Sequence, residues 1–284
     1  MPRPAGPRGR ARRPRPALGQ HFLADERILG RLVEALEPAT TDVVLEIGAG
    51  TGTLTRLLAP RVARVIAVEK DPWLVAACER RNAESGIANV AVLPADALAL
   101  EWPALIPPSA IRDRQWKVVG NIPYYITSPL VDQALTPPVP ERVVFLVQAE
   151  VADRMVAQPG SKTYGALSVG VQVASRAEKL FRVKAGAFQP PPEVDSAVIR
   201  LHPLSNPPFE AAALQAFRRF VVGCFSQRRK QLHNVVRRLT QWSPQAVAAT
   251  LAALELDPAA RPEVLSPQAF VRLWRESLRE RGSL

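Results

Sequence analysis

The side chains best suited to chemistry lie in the segment Asn121-Ile122-Pro123-Tyr124. An amine attached to an aromatic ring is a poor nucleophile, because its lone pair is delocalised into the ring. Two acceptors for its N–H groups favour a pyramidal nitrogen, and the Asn121 amide oxygen and the Ile122 carbonyl can supply them. Pro123 fixes its own φ and stiffens that carbonyl, and the Tyr124 ring offers a stacking face. This spacing indicates methyl transfer to the amino group of a base.

A glycine-rich turn precedes this segment in the chain. The apolar run Val43–Ile47 leads into Gly48, Gly50 and Gly52, which let the backbone turn tightly and approach a ligand. Glu69 ends the next apolar run, roughly 20 residues after Gly48, where an acid can accept both hydroxyls of a ribose. A tight strand–helix turn without a ligand is the simpler alternative. The context of strand, glycine turn and helix favours a nucleotide-type cofactor.

Asp96 follows a third apolar run, in Ala95-Asp96-Ala97. Its carboxylate could accept a hydrogen bond from an adenine amine, but a turn or helix cap explains it equally well. Glycines and acids in this order also fit a nicotinamide-dependent dehydrogenase. The segment that begins at Asn121 decides between these functions in favour of methyl transfer.

These residues require a framework of alternating strands and helices. Apolar runs predict strands, and helical periodicity between the early ones predicts a doubly wound parallel sheet with an antiparallel edge at its later strands. Asp25 is expected to cap a first helix that continues through Leu36. The predicted strands are Val43–Ile47, Val65–Val68, Val90–Leu93, Lys117–Gly120, Val143–Val147, Leu180–Val183 and Ala197–Leu201, and the predicted helices between the early ones include Leu54–Leu58 and Pro72–Ser85.

The chain divides into three parts. Residues 1–17 are rich in arginine and proline and are predicted to be a disordered basic tail. Residues 18–205 are predicted to form the cofactor-binding catalytic domain, with a linker at Pro203–Pro208 where this domain ends. Residues 206–284 are predicted to form a small all-helical domain, in which Ser243 and Ser266 are N-caps followed by proline.

The charge balance indicates a polyanionic partner. The chain has 37 basic and 26 acidic residues, a net charge of +11. No Asp or Glu occurs from Ala211 to Leu254, a stretch that contains Arg228, Arg229 and Lys230. An ordinary solvated helix face usually mixes charges of both signs, so the acid-free stretch favours a phosphate-binding surface.

Several classes of protein do not fit the sequence. The sequence has no run of 18 or more apolar residues, so no membrane-spanning helix is predicted. Cys78 and Cys224 lie far apart, and with three scattered histidines they predict no metal site and a reducing, cytoplasmic compartment.

The chain resembles the ribosomal RNA adenine dimethyltransferase family, and within it the bacterial enzymes that act on the small subunit. Beyond the glycine turn, Val68-Glu69 and the Asn121 segment, the resemblance rests on further motifs in the order typical of the family. These are Leu18-Gly19-Gln20-His21-Phe22-Leu23, the run Phe145–Glu150 with Arg154, the run Phe188–Ser196, and Gln227-Arg228-Arg229-Lys230. The resemblance extends from about residue 18 to residue 238.

The resemblance implies a Rossmann-like class I methyltransferase fold, S-adenosylmethionine as cofactor and a role for each site residue. The backbone and side chains at His21 and Leu23 would line the methionine end of the cofactor, and Gly48 and Gly50 would approach it. Glu69 would bind its ribose and Asp96 its adenine. Asn121 would lie against both the cofactor and the target amine. Tyr124 and Phe188 would stack on the two faces of the target adenine, and Arg228, Arg229 and Lys230 would bind RNA. Many relatives have Asn in place of His21.

The expected activity is dimethylation of N6 of two adjacent adenosines in the 3′-terminal hairpin of small-subunit (16S) ribosomal RNA, with the pre-ribosomal small subunit as partner. Two alternatives remain at this point. One is a large-subunit (23S) RNA methyltransferase of the macrolide-resistance type, which shares the catalytic motifs. The other is a non-catalytic nucleic-acid-binding factor on the same fold.

Overall fold

A computed structural model describes residues 21–227 and 229–279 of the chain. The predicted tail at residues 1–17, the segment Leu18–Gln20 and Arg228 lie outside the described residues. Within the described part, no helix is long and apolar enough to cross a membrane.

Over the residues that the structure describes, seven strands form one sheet in the order β4-β3-β2-β5-β6-β9-β7. The five strands from β4 to β6 are parallel, whereas β9 runs antiparallel to both β6 and β7. A separate antiparallel pair joins β1 to β8. The strands are β1 Phe22–Leu23, β2 Val43–Ile47, β3 Arg64–Glu69, β4 Val90–Pro94, β5 Trp116–Asn121, β6 Arg142–Gln148, β7 Ser175–Val183, β8 Phe188–Gln189 and β9 Ser196–Pro203.

Helices cover both faces of the sheet and form the C-terminal region. They are α1 Glu26–Leu36, α2 Thr53–Leu58, α3 Pro72–Glu84, α4 Trp102–Leu105, α5 Pro108–Arg112, α6 Thr127–Ala134, α7 Ala149–Met155, α8 Ala166–Gln172, α9 Ala211–Phe225, α10 Leu232–Thr240, α11 Pro244–Ala253 and α12 Pro267–Arg279. The predicted doubly wound sheet with an antiparallel edge and a helical C-terminal region is confirmed.

The central strands are buried on both faces, as expected for parallel strands covered by helices. All five residues of β2 are buried. Leu45 packs into one apolar cluster, while Val44 packs into a second cluster on the opposite face of the sheet. The predicted N-cap is also confirmed, since the Asp25 carboxylate accepts hydrogen bonds from the Arg27 and Ile28 amides at the start of α1.

Two elements differ from the sequence expectation. Strand β7 begins at Ser175, not at the predicted Leu180. Its first half contains charged residues on an exposed edge and no apolar run, so no signal in the sequence predicted it. The β1–β8 pair was not predicted at all. Each of its strands has two residues, which is too short for any periodicity to show in the sequence.

The C-terminal helices share an apolar cluster with the end of the catalytic region. Phe217 of α9 and Trp274 of α12 pack in the same cluster as Tyr164 and Val173. The predicted division at residues 205 and 206 falls just after β9, but the buried cluster extends across it. The predicted caps are confirmed: Ser243 and Ser266 accept hydrogen bonds from backbone amides three residues later.

Candidate active site

A pocket opens at the carboxyl ends of strands β2 to β5, the edge at which open parallel sheets bind ligands. It brings together most of the residues singled out from the sequence. The lining residues are His21, Phe22, Ile47, Gly48, Gly50, Val68, Glu69, Lys70, Asp71, Leu74, Ala95, Asp96, Ala97, Asn121, Ile122, Pro123, Tyr124, Tyr125 and Ile126.

The glycine turn between β2 and α2 has the left-handed backbone that its glycines allow. Gly48, Gly50 and Gly52 all have positive φ. A Cβ on Gly52 would lie 2.7 Å from the Cys78 sulfur, so α3 packs against this turn only because the side chain is missing. Gly120, at the end of β5, is equally constrained, since a Cβ there would lie 2.5 Å from the Ile47 carbonyl oxygen. The floor of the pocket therefore depends on glycine at both strand ends.

Glu69 is held in place by the backbone on both sides. Its Oε2 accepts from the Gly50 amide and its Oε1 from the Asp71 amide, each at 2.9 Å. Only 9% of the residue is exposed. Each carboxylate oxygen keeps a further lone pair, so the fixed carboxylate can still accept from two hydroxyl groups in the pocket.

Asp96 caps a turn, which is one of the two roles that the sequence left open, and its contact with an adenine stays a prediction. Its Oδ1 accepts from the Leu98 amide at 3.0 Å and caps a short turn. Its Oδ2 pairs with the Lys70 ammonium at 2.7 Å, and this hydrogen bond holds the pKa of Asp96 below its usual value. Asp96 also lines the pocket, next to Glu69. It therefore stays ionised and carries a cation that the sequence analysis had not associated with the site.

The side-chain amide of Asn121 is held by the backbone of His21 through one of its two polar atoms. Its Nδ2 donates to the His21 carbonyl oxygen at 2.9 Å, which leaves Oδ1 as the free acceptor of the amide in the pocket. The His21 ring is anchored separately, since Nδ1 lies 2.9 Å from the Pro190 carbonyl oxygen and must donate to it. His21 thus contacts Asn121 through its backbone, a contact that an Asn at this position could make as well.

Tyr124 is fixed through its hydroxyl group. That group shares a hydrogen bond of 2.7 Å with the Ser196 hydroxyl. Burial raises the pKa of the Tyr124 phenol, which keeps it protonated. Its ring lies nearly parallel to the His21 ring, with centroids 6.0 Å apart and an interplanar angle of 23°. The Tyr124 ring is therefore held in a fixed orientation by its hydroxyl group and lies parallel to the neighbouring His21 ring.

The side chains of Leu23 and Phe188 do not line the pocket. They face each other in the β1–β8 pair and are buried in the same apolar cluster, with 7% and 4% exposure. Because side chains alternate along a strand, the pocket side of β1 presents Phe22, which the sequence analysis missed. A Cβ on Gly50 would lie 3.2 Å from the Phe22 ring. The stacking role of Phe188 stays a prediction, and it requires the ring to leave this cluster.

A buried carboxyl group lies beneath the glycine turn. Glu46, the fourth of the five residues of β2, is 1% exposed, and its Oε2 accepts from the Thr55 hydroxyl at 2.6 Å. Burial, together with the negative charge of nearby Glu69, raises the pKa of Glu46 to about 8, although the Thr55 hydrogen bond partly offsets this effect. Glu46 is therefore mostly protonated at neutral pH.

A basic surface lies on α10 and on the turn that precedes it. Arg229 and Lys230 are exposed, and no carboxylate lies within ion-pair distance of either among the described residues. Arg237 and Arg238 on α10 are exposed as well, and they line a second, polar depression with Asn234 and Gln241. Over the same described residues, no group of three His, Cys, Asp or Glu side chains is placed to hold a metal ion.

Known proteins are similar to this chain over nearly its whole length. The profile of the family described as "Ribosomal RNA adenine dimethylase" matches residues 11–273. The chain is 40% identical to a "Ribosomal RNA small subunit methyltransferase A" of Nitratidesulfovibrio vulgaris over 264 residues, 92% of this chain and 95% of the relative. It is 42% identical to the protein of the same name from Rubrobacter xylanophilus over 269 residues, 94% and 96% of the two chains.

Two solved structures are similar over almost their full length. A dimethyladenosine transferase from Plasmodium falciparum superposes with a TM-score of 0.75 at 26% identity, covering 92% of this chain and 98% of that one. The 23S rRNA methyltransferase ErmE superposes with a TM-score of 0.68 at 30% identity, covering 91% and 99%. The sheet and the helical C-terminal region are therefore shared with both.

Proposed function

The chain belongs to the ribosomal RNA adenine dimethylase family, and we propose that it dimethylates N6 of two adjacent adenosines in the 3′-terminal hairpin of small-subunit ribosomal RNA, with S-adenosylmethionine as methyl donor. The observation that carries the proposal is the fixed amide of Asn121. With Nδ2 held by the His21 carbonyl, Oδ1 is presented to the pocket as an acceptor for an amine N–H. The relatives named for the small subunit favour that RNA over the large-subunit alternative.

The residues of the pocket fit the cofactor. The Glu69 carboxylate is fixed by the Gly50 and Asp71 amides and offers two acceptors for ribose hydroxyls. The left-handed glycine turn lets the backbone approach the ligand closely. Asp96 binds the adenine, and the Phe22 ring lines the pocket beside His21, where the side chain of Leu23 does not reach. When bound, S-adenosylmethionine supplies an activated methyl group on a positively charged sulfur.

The chain then needs only to orient the amine. Asn121 Oδ1 and the Ile122 carbonyl accept from the two N–H groups and direct the nitrogen lone pair along the pocket. Tyr124, fixed through Ser196, stacks on one face of the target base. Phe188 reaches the other face once its ring turns out of the apolar cluster. After methyl transfer, which leaves a neutral thioether, the methylated amine would release its extra proton to water, because the Asn121 amide oxygen is too weak a base to keep it. Positioning of this kind provides a large part of the rate.

RNA is held outside the pocket by the basic helical region. We assign cofactor binding and catalysis to residues 18–205, and RNA binding to residues 206–284. Arg229 and Lys230 contact phosphates, together with Arg228, which lies outside the described residues. The exposed Arg237 and Arg238 enlarge this surface. The partner is the pre-ribosomal small subunit, and the compartment is the cytoplasm.

The deciding experiment supplies both subunits in undermethylated form. The purified protein is incubated with methyl-labelled S-adenosylmethionine and either small or large ribosomal subunits, with Asn121→Ala as the matched control. We expect label on N6 of adenine in small-subunit RNA for the unaltered protein alone. Label in large-subunit RNA would support the resistance-type enzyme. Cofactor binding without transfer to either subunit would support a non-catalytic RNA-binding factor.

A further inference from the structure

The mouth of the pocket has a second tyrosine, which the proposed mechanism does not use. Tyr125 is 65% exposed, which is the highest value among the exposed large hydrophobic residues in the described part of the chain. It nevertheless lines the same pocket as Glu69 and Asn121. Its ring is therefore open to solvent and adjacent to the site at the same time.

The fold gives no structural reason for an aromatic ring at this position. Tyr125 is the middle residue of a short 3-10 turn, Tyr124–Ile126. Its two neighbours anchor that turn, Tyr124 through the Ser196 hydroxyl and Ile126 by packing on the apolar cluster of the sheet. Because Tyr125 between them is 65% exposed, packing alone does not require an aromatic ring at this position.

A cation accompanies the ring. Lys70 lines the same pocket, with 63% of its side chain exposed and its Nζ 2.7 Å from Asp96 Oδ2. An ammonium group has three N–H donors, so pairing with Asp96 leaves donors for another anion. An exposed aromatic ring beside a cation is the combination that binds single-stranded nucleic acid, through stacking of a base and contact with a phosphate.

We propose that Tyr125 is the stacking surface for the base adjacent to the target adenine, and that Lys70 contacts a phosphate next to it. This inference rests on the proposed function. A base that enters the pocket leaves its stack, so its neighbour loses a stacking partner. Tyr125 replaces that partner at the mouth of the pocket. Where two adjacent adenosines are methylated in turn, the same ring holds one while the other reacts.

The experiment uses a short RNA hairpin with 2-aminopurine beside the target adenine, since this base is dim when stacked and bright when unstacked. Tyr125→Ala is compared with Tyr125→Phe, which keeps the ring. The matched control is Trp73→Ala, an exposed aromatic on α3 that does not line the pocket. Affinity for S-adenosylmethionine and methyl transfer to the same RNA are measured for each protein.

We expect the probe to stay dim in complexes with the unaltered protein, Tyr125→Phe and Trp73→Ala, and to become bright with Tyr125→Ala. Loss of one base–aromatic stack should weaken RNA binding by Tyr125→Ala about 5- to 150-fold, with unchanged cofactor affinity. Lys70→Gln should lower the magnitude of the slope of log affinity against log salt by about 1.

Two results would overturn the inference while the proposed function stands. One is RNA affinity and fluorescence for Tyr125→Ala equal to those of Trp73→Ala. The other is weaker S-adenosylmethionine binding by Tyr125→Ala with an RNA effect that vanishes at saturating cofactor, which would assign the ring to the cofactor. If the unaltered protein transfers no methyl group to undermethylated small subunits, the proposed function itself fails, and this inference fails with it.

Discussion

Replacement of Glu69 by glutamine tests the cofactor site with the smallest change of shape. The carboxylate accepts from two backbone amides, Gly50 on one side and Asp71 on the other. A glutamine side chain has one oxygen and one NH2 group, so only one of these amides keeps its acceptor. The other then faces a second donor at a site with only 9% exposure. The variant therefore loses both a charge and one of two matched contacts.

The two losses have different sizes and different readouts. A buried N–H without an acceptor costs about 1–3 kcal/mol, which should appear as a lower free energy of unfolding. A hydrogen bond from a ribose hydroxyl to a charged acceptor is worth about 1.5–3 kcal/mol, so its loss should weaken S-adenosylmethionine binding roughly 10- to 150-fold. Calorimetric titration measures the second effect, and urea unfolding without cofactor measures the first.

The control for Glu69→Gln is Glu79→Gln, which removes one exposed acid from α3 and should change neither quantity. Titrations are compared at a temperature at which all three proteins are folded. A folded Glu69→Gln protein with the cofactor affinity of the unaltered chain would remove Glu69 from the site. Lower stability with normal affinity would restrict its role to holding the glycine turn.

Three further predictions concern chemistry, pH and RNA. Asn121→Ala should keep RNA affinity and slow single-turnover methyl transfer about 10²- to 10³-fold, and near-normal transfer would show that Asn121 does not orient the amine. Burial raises the pKa of Glu46 from 4.5 to about 8, so the folded protein holds a proton that the unfolded chain releases. This proton contributes stability that is fully present below pH 4.5 and is lost as the pH rises through about 8. The free energy of unfolding of Glu46→Gln should lack this pH dependence. Identical pH profiles for the variant and the unaltered protein would show that the Glu46 carboxylate is ionised in the folded protein. Combined Arg229→Glu and Lys230→Glu should weaken RNA binding and flatten its salt dependence, and an unaltered slope would locate the RNA surface elsewhere.

The sequence predicted the central sheet because its signals are local. Apolar runs such as Val43–Ile47 are fully buried strands, and the glycines after them have the positive φ that the turn requires. The cap at Asp25 follows from one side chain and the two amides beside it. The placement of Gly48, Glu69, Asp96 and Asn121 at one edge follows from the parallel order of their strands.

Contacts between distant segments were decided by the tertiary structure alone. Which face of β1 meets the pocket depends on its pairing with β8, and this pairing presents Phe22 and buries Leu23 with Phe188. The ion pair of Lys70 with Asp96 joins the ends of neighbouring strands, and its distance appears in no local pattern.

The sequence alone thus determined the family, the sheet and most of the side chains at the pocket, because residue type and strand order are written along the chain. It did not determine which atom of the Asn121 amide faces the ligand. That choice is made by the His21 carbonyl, 100 residues away in the sequence and 2.9 Å away in the fold. Hydrogen bonds of this kind depend on how the segments pack, and packing exists only once the chain has folded.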